Sequence, residues 1–175
     1  MSGFSRARRA RTLLVMGLAL ATAACNYGFS GGGGFPSHVR TIYIAPLDNE
    51  TVQFDLDQQI FRAMNDRLPR ALGVRVAGER AADAILRATV TAYEDAAQNY
   101  RPGPQTGAVE VLQHQVQVRL NIQIVDVRDN VILFESRGIT GRGEYRPDTQ
   151  SDEIARTRAI ETLIQQIIDG AQSQW

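Results

Sequence analysis

Residues 112–124 alternate between two kinds of side chain over thirteen positions. Apolar residues and one histidine, His114, take the even positions, and glutamine, asparagine or arginine takes every odd one. Because successive side chains of a strand point to opposite faces, the pattern predicts a β-strand with one buried and one polar face. At about 3.4 Å per residue the strand would be about 44 Å long, well beyond the common length of about 5–6 residues. The chain therefore has to form a sheet with a second layer on its apolar face.

Three other segments have strand character. Residues 38–45 form a β-rich run that ends at Pro46, and residues 84–92 alternate small apolar residues with arginine and threonine. Residues 126–130 have turn chemistry, so the strand that begins at residue 131 is predicted to pair with the long strand as a hairpin. Glycines in the far half of that last strand indicate bends or bulges: Gly138, Gly141 and Gly143.

Two segments have helical periodicity. In the first, apolar residues recur every fourth position at Leu56, Ile60, Met64 and Leu68. In the second they follow the spacing of one helical face at Ile160, Leu163, Ile164, Ile167, Ile168 and Ala171. The order β-α-β-β-β-α predicts an α+β two-layer sandwich, with a four-stranded, mostly antiparallel sheet and two helices on one face. We assign residues 36–175 to this single domain.

Residues 1–24 predict an export signal that is removed. A segment with four arginines precedes a short apolar run at residues 13–21, which is too short to span a bilayer. Small residues then lead directly into Cys25, the only cysteine of the chain. This resembles the bacterial lipobox, in which diacylglycerol is attached to the cysteine thiol, although Thr22 stands where that motif usually has leucine. The alternative is a conventional signal in which Cys25 is an ordinary small residue.

Residues 25–35 predict a flexible tether between the lipid and the domain, because they include four consecutive glycines at residues 31–34. Several acyl chains on one cysteine give stable membrane anchoring. Asn26 follows the cysteine where, in proteobacteria, aspartate favours inner-membrane retention. By that resemblance the protein is expected at the outer membrane.

Composition excludes several classes of function. Four of the 19 basic residues lie in the first 24 residues, which hold no acid, so the rest of the chain carries 15 arginines against 19 acidic residues. That balance argues against a nucleic-acid partner. The two histidines have no neighbours at metal-ligand spacing, and no nucleophile motif is present, so we predict no enzyme activity, cofactor or metal site.

Four segments in order carry a family resemblance. They are residues 25–29 (Cys-Asn-Tyr-Gly-Phe), 42–51 (Ile-Tyr-Ile-Ala-Pro-Leu-Asp-Asn-Glu-Thr), 82–86 (Ala-Asp-Ala-Ile-Leu) and 159–175, from Ala-Ile to the final Trp. Taken together, they make the chain resemble the LptE family of lipopolysaccharide-assembly lipoproteins. The resemblance implies an α+β sandwich that sits as a plug inside the outer-membrane lipopolysaccharide-transport β-barrel. It also implies that the protein helps that barrel to assemble and helps to deliver lipopolysaccharide to the outer leaflet.

The residues fit this role in one respect. A barrel lumen is polar, and the outward row of the long strand offers neutral hydrogen-bonding groups at Gln113, Gln115, Gln117, Asn121 and Gln123. Two alternatives stay open. One is another cell-envelope lipoprotein module, secretion-channel or peptidoglycan-associated, on a similar scaffold. The other is a periplasmic carrier of a small apolar ligand, which would need a cavity between helices and sheet.

Arginines near one end of the predicted sheet are the candidates for binding lipopolysaccharide. Lipid A carries phosphates, and guanidinium groups bind phosphate through paired hydrogen bonds. Arg101 lies in a proline-flanked loop between the second and third strands, where the family carries a basic residue. Arg146 precedes the C-terminal helix, and Arg142 is its substitute. We expect the loops of Arg101 and Arg146 to converge; the alternative is that both are ordinary solvated arginines.

Overall fold

The computed structural model describes residues 35–102 and 109–174. The predicted signal, Cys25 and most of the predicted tether therefore lie outside the described residues. In chain order the elements are β1 (Thr41–Ile44), β2 (Asp48–Asn49), α1 (Leu56–Ala71), β3 (Arg75–Val76), a short 3₁₀ helix (Glu79–Ala81), β4 (Ala84–Pro102), β5 (Val109–Asp126), β6 (Ile132–Tyr145) and α2 (Asp152–Ser173). In the described part of the chain, no helix has the length and apolar character needed to cross a membrane.

The predicted α+β sandwich is confirmed, but the sheet is larger than expected. It has six strands, not four, and runs β3-β1-β4-β5-β6 with β2 also beside β4. The sheet is mostly antiparallel, as predicted, through the long β4-β5-β6 meander, but the short pairings of β1, β2 and β3 are parallel. β1 is parallel to both of its neighbours, β3 and β4, because α1 returns the chain before β3 and the segment with the short 3₁₀ helix then leads from the two-residue β3 to the start of β4. The two extra strands, β2 and β3, have two residues each and therefore no periodicity to detect.

Both helices pack on the same face of the sheet. The four predicted α1 residues Leu56, Ile60, Met64 and Leu68 are all fully buried. The predicted α2 stripe is buried as well, and its first two turns add Ala155 and Ala159. α1 ends at Ala71, where Gly73 follows at φ 70°, and the Gln172 side chain of α2 donates a 2.9 Å hydrogen bond to the Ala71 carbonyl. The core thus lies between one sheet face and two mutually packed helices.

The glycines of β6 have two separate functions, of which the sequence suggested one. Gly138 has φ 72° and lies at an irregularity of the β5–β6 register, as the predicted bulge requires. At Gly141 and Gly143, by contrast, the β5–β6 register is regular. An added Cβ at either position would collide with a carbonyl oxygen of α2, that of Ala159 or Ala155. These two glycines let the helix backbone lie directly on the strand.

The β4–β5 hairpin is much longer than predicted. The sequence suggests that the second strand ends at residue 92 and that residues 98–107 form a loop, but β4 continues to Pro102. Register shifts at Val90/Ala92, Ala97/Asn99 and Asn99/Tyr100 break the two-residue period there, which hides the strand from pattern analysis. Leu112, predicted to face the core, is 37% exposed.

Candidate functional site

The sheet face opposite the helices carries the predicted polar row. No described helix covers this face, which we call the open face. Gln113, Gln115, Gln117 and Gln123 are half-buried and Asn121 is exposed. Several of these side chains bond across strands: Asn99 Nδ2 donates to Gln113 Oε1 at 2.7 Å, and Arg142 Nε donates to Gln117 Oε1 at 3.1 Å. The open face therefore presents many hydrogen-bonding side chains, and most of those on β5 are neutral.

Arg101 and Arg146 line one groove at the hairpin end of the sheet, as the sequence predicts. The groove has a volume of about 480 Å³. Arg101 lies on β4 opposite Glu110 of β5, and Arg146 directly follows β6. Both are exposed, and the side chain of Asp148 lines the groove beside them. Arg101 reaches the groove from a strand and not from a loop, because β4 extends past the boundary that the sequence suggests, whereas Arg146 lies just after β6.

Apolar side chains share this groove with the cations. Tyr100 is 58% exposed and Leu112 is 37% exposed, and both contribute to its walls. Tyr100 is held in place because its hydroxyl donates a 3.1 Å hydrogen bond to the Ala97 carbonyl. A groove with guanidinium groups and exposed apolar surface suits an amphiphilic anion better than a simple one.

Arg142 lies elsewhere. It is in the middle of β6, opposite Gln117, and its side chain bonds to that residue on the open face. The depression it lines contains Arg158 and Glu161 of α2 and does not include Arg101 or Arg146. The structure therefore brings together two of the three predicted arginines and separates the third.

Three polar side chains, those of His114, Asp95 and Tyr145, form a cluster at the hairpin end of the sheet. His114 Nδ1 lies 2.8 Å from Asp95 Oδ1, and the Tyr145 hydroxyl donates to Asp95 Oδ2 at 2.8 Å. Burial and the bond to Asp95 raise the pKa of Tyr145 to about 12. His114, at a core-facing position of β5, is hydrogen-bonded, which is typical of a structural histidine. Its partners, 19 and 31 residues away in sequence, appear only once the hairpin register is known.

A second cluster lies at the opposite end of the sheet. The His38 ring pairs with Asp126, which is only 2% exposed, and His38 Nε2 lies 3.7 Å from Asp129 Oδ2. Burial alone would raise the pKa of Asp126, but the bond from His38 and the backbone N–H groups of Asp129 and Arg128 hold it below its usual value. These three side chains have the donor types of a metal site, and their ligand atoms lie within 4.8 Å of one another. The ion pair and turn hydrogen bonds already account for their arrangement.

Comparison with known proteins identifies the family. Residues 39–170 match the sequence model of LptE, the lipopolysaccharide-assembly family. This chain belongs to the LptE family. The match spans every described strand and almost all of α2, so it covers both the open face and the Arg101–Arg146 groove. LptE proteins are non-enzymatic lipoproteins of the cell envelope, and the role of this one is therefore in lipopolysaccharide assembly. A search of curated protein sequences found no match.

The chain is similar to several solved structures, one of which superposes well enough to show a shared fold. A hypothetical protein from Chlamydia trachomatis superposes with a TM-score of 0.52 at 8% identity, covering 77% of this LptE chain and 96% of that one. Lipoprotein GNA1162 from Neisseria meningitidis gives 0.47 at 14% identity, with 74% and 99% covered. A PelC dodecamer from Paraburkholderia phytofirmans gives 0.46 at 14% identity, with 81% and 88% covered. At 8% identity, the likeness to the Chlamydia trachomatis protein is one of fold alone.

Proposed function

We propose that this LptE-family chain is an outer-membrane lipoprotein that plugs the lumen of the lipopolysaccharide-transport β-barrel. In this role it helps the barrel to assemble and aids lipopolysaccharide delivery to the outer leaflet. Residues 1–24 are the cleaved signal, acyl chains on Cys25 are the anchor, and residues 36–175 are the plug domain. Family membership over residues 39–170 is the observation that carries the proposal.

The open face supports the plug role physically. A lumen wall is polar, so a plug must exchange hydrogen bonds with water for hydrogen bonds with the wall. Amide side chains suit this exchange because each both donates and accepts and carries no charge to desolvate. Gln113, Gln115, Gln117 and Gln123 supply such groups along one strand, all at odd-numbered positions and therefore on the same face.

The two alternatives receive less support. A carrier of a small apolar ligand needs a cavity between helices and sheet, whereas fully buried side chains from both layers meet there, among them Met64, Leu120 and Ile164. A secretion-channel or peptidoglycan-associated module is disfavoured by the family match, which names lipopolysaccharide assembly.

The direct test of the plug proposal is purification from outer membranes solubilised in mild detergent. We expect the affinity-tagged protein to co-purify with a single β-barrel protein, identified by mass spectrometry. Metabolic labelling with a fatty acid in the same cells should mark the wild type and leave Cys25→Ala unmarked. A preparation with no barrel protein, from cells in which the labelled protein reaches the outer membrane, would refute the plug role. Labelled Cys25→Ala would refute the anchor.

For the lipopolysaccharide contact, we propose the groove that contains Arg101 and Arg146. Its guanidinium groups would hold lipid A phosphates, and Tyr100 and Leu112 would contact the apolar part of the same ligand. Arg142 has no place in this contact, because its side chain bonds to Gln117 in the middle of the open face.

Binding of purified protein to lipopolysaccharide tests this contact. Arg101→Glu combined with Arg146→Glu should weaken binding by about tenfold or more, the equivalent of about 1.4 kcal/mol. The difference from wild type should shrink as salt rises. The matched control is Arg62→Glu combined with Arg137→Glu, which makes the same charge change at exposed positions outside the groove. Equal weakening by both double variants would mean that net charge alone governs binding and would remove the groove from the account.

A further inference from the structure

We propose that the end of the domain where the tether begins is itself a membrane contact surface. This end consists of the β5–β6 turn and the apolar residues around it, and the partner is the phospholipid surface that holds the anchor. The inference rests on the proposed lipidation of Cys25.

The position of the tether's end is the first step. His38 pairs with Asp126, the last residue of β5, and the Val39 amide donates a 2.8 Å hydrogen bond to the Pro36 carbonyl. The chain therefore enters the domain beside the β5–β6 turn. His38, beside the turn, is thirteen residues after Cys25, so it lies within about 45 Å of the lipidated residue.

The second step is the character of that end. Val127 and Val131, on either side of the turn, are 50% and 51% exposed, and Ile132 is 48% exposed. Val131 is locked against the strand end, since the Asp126 amide donates a 2.8 Å bond to its carbonyl. The turn thus holds three large apolar side chains in solvent on a hydrogen-bonded support, with the exposed Arg128 between them.

The apolar surface continues across the first row of the open face. Ile132 lies opposite Val125, Val125 opposite Ile85, and Ile85 opposite Tyr43, so one apolar residue from each of four adjacent strands joins the row. The next parallel row is polar and charged: Arg87, Gln123 and Glu135. The open face therefore has a sharp boundary, apolar at the tether end and polar beyond it.

This arrangement fits a bilayer surface. Apolar side chains gain free energy by entering the interfacial zone of a bilayer, whose depth is about 5–10 Å, and a lipid anchor on the same chain keeps them at that surface. Arg128 beside them can keep its stem with the apolar groups, while its guanidinium group, paired with Asp129 at 3.0 Å, stays on the water side. The charged second row then marks the depth at which contact stops.

Depth-dependent fluorescence quenching tests the inference on the full lipidated chain. Cys25 is the only native cysteine, so an added cysteine is the only free thiol once Cys25 is acylated. Val131→Cys and, separately, Val127→Cys are labelled with a fluorophore and reconstituted into phosphatidylethanolamine–phosphatidylglycerol vesicles. Half of the phospholipids carry brominated acyl chains in one arm and none do in the other. The matched control is Val52→Cys, a 93% exposed valine in the loop after β2, which lies farther along β4 from the tether end.

We expect bromine to quench residues 131 and 127 severalfold more than residue 52. Quenching that is equal at all three positions, or stronger at residue 52, overturns the membrane contact while the vesicle-bound protein still demonstrates the anchor. If the purified protein carries no acyl chains and does not float with the vesicles, both the anchor and the inference are overturned. Because all three positions are at least half exposed, the substitutions leave the core intact.

Discussion

The two faces of the sheet follow different rules of side-chain choice. On the covered face, β5 presents Val116, Val118, Leu120, Ile122 and Ile124, all buried under the helices. On the open face, the same strand presents amides that bond to neighbouring strands. The same strand therefore stabilises the fold with one face and offers a hydrogen-bonding surface with the other. Changes on the covered face should therefore act on folding, and changes on the open face on association.

The largest effect is expected for Ile164→Asp. Ile164 is fully buried at the centre of α2, and an unpaired charge there costs several kcal/mol of a total stability of about 5–15 kcal/mol. Thermal unfolding should show a destabilisation of more than about 4 kcal/mol or no folded protein. The control Gln165→Asp, one residue along on the exposed side of the helix, should keep the wild-type fold. A small shift for Ile164→Asp would mean that the helix orientation is wrong.

A smaller effect is expected where helix and strand backbones touch. Gly143→Ala places a methyl group against the Ala155 carbonyl of α2, and overpacking of this kind costs about 1–3 kcal/mol. Gly78→Ala is the matched control, because an added methyl group there meets nothing within 4 Å and φ is −70°. Chemical denaturation should separate the two variants. Equal midpoints would contradict the close approach of α2 to β6.

The pH dependence of stability reports on the tether end. Because the folded state lowers the pKa of Asp126 below 3.8, its ionised form stabilises the fold at neutral pH, and this contribution disappears as pH falls through the folded pKa. Asp83, whose pKa is lowered by bonds from Thr41 and the Arg40 amide, adds to the same acid-side loss. Asp126→Asn should be less stable at pH 7 and should lose less stability between pH 5 and pH 2. Parallel pH curves for the two proteins would contradict this role of Asp126.

Sequence analysis predicted those parts of the fold in which side chains recur with a regular period. The alternation of residues 112–124 and the α2 stripe were sufficient to predict the faces of β5 and α2, because each fills a regular face with one kind of residue. The far half of β4 was missed because three register shifts disrupt its alternation. The contact between Gly143 and α2 could not be predicted, because it depends on the position of Ala155, twelve residues later in the chain. The topology was sufficient to predict that Arg101 and Arg146 lie at the same end of the sheet. The groove that they share depends on the full length of the hairpin.

The most direct test of the account is site-specific photo-crosslinking in cells at Gln117, at the centre of the open face. The side chain of Gln117 is half-buried and bonds to Arg142, so a photoreactive residue there reports on whatever lies over the sheet. We predict an adduct between residue 117 and an outer-membrane β-barrel protein. The control places the same photoreactive residue at position 165, on the exposed side of α2, where it reports on proteins near the helix layer. Adducts with a barrel at Gln165 but none at Gln117 would contradict the claim that the open face contacts the lumen wall.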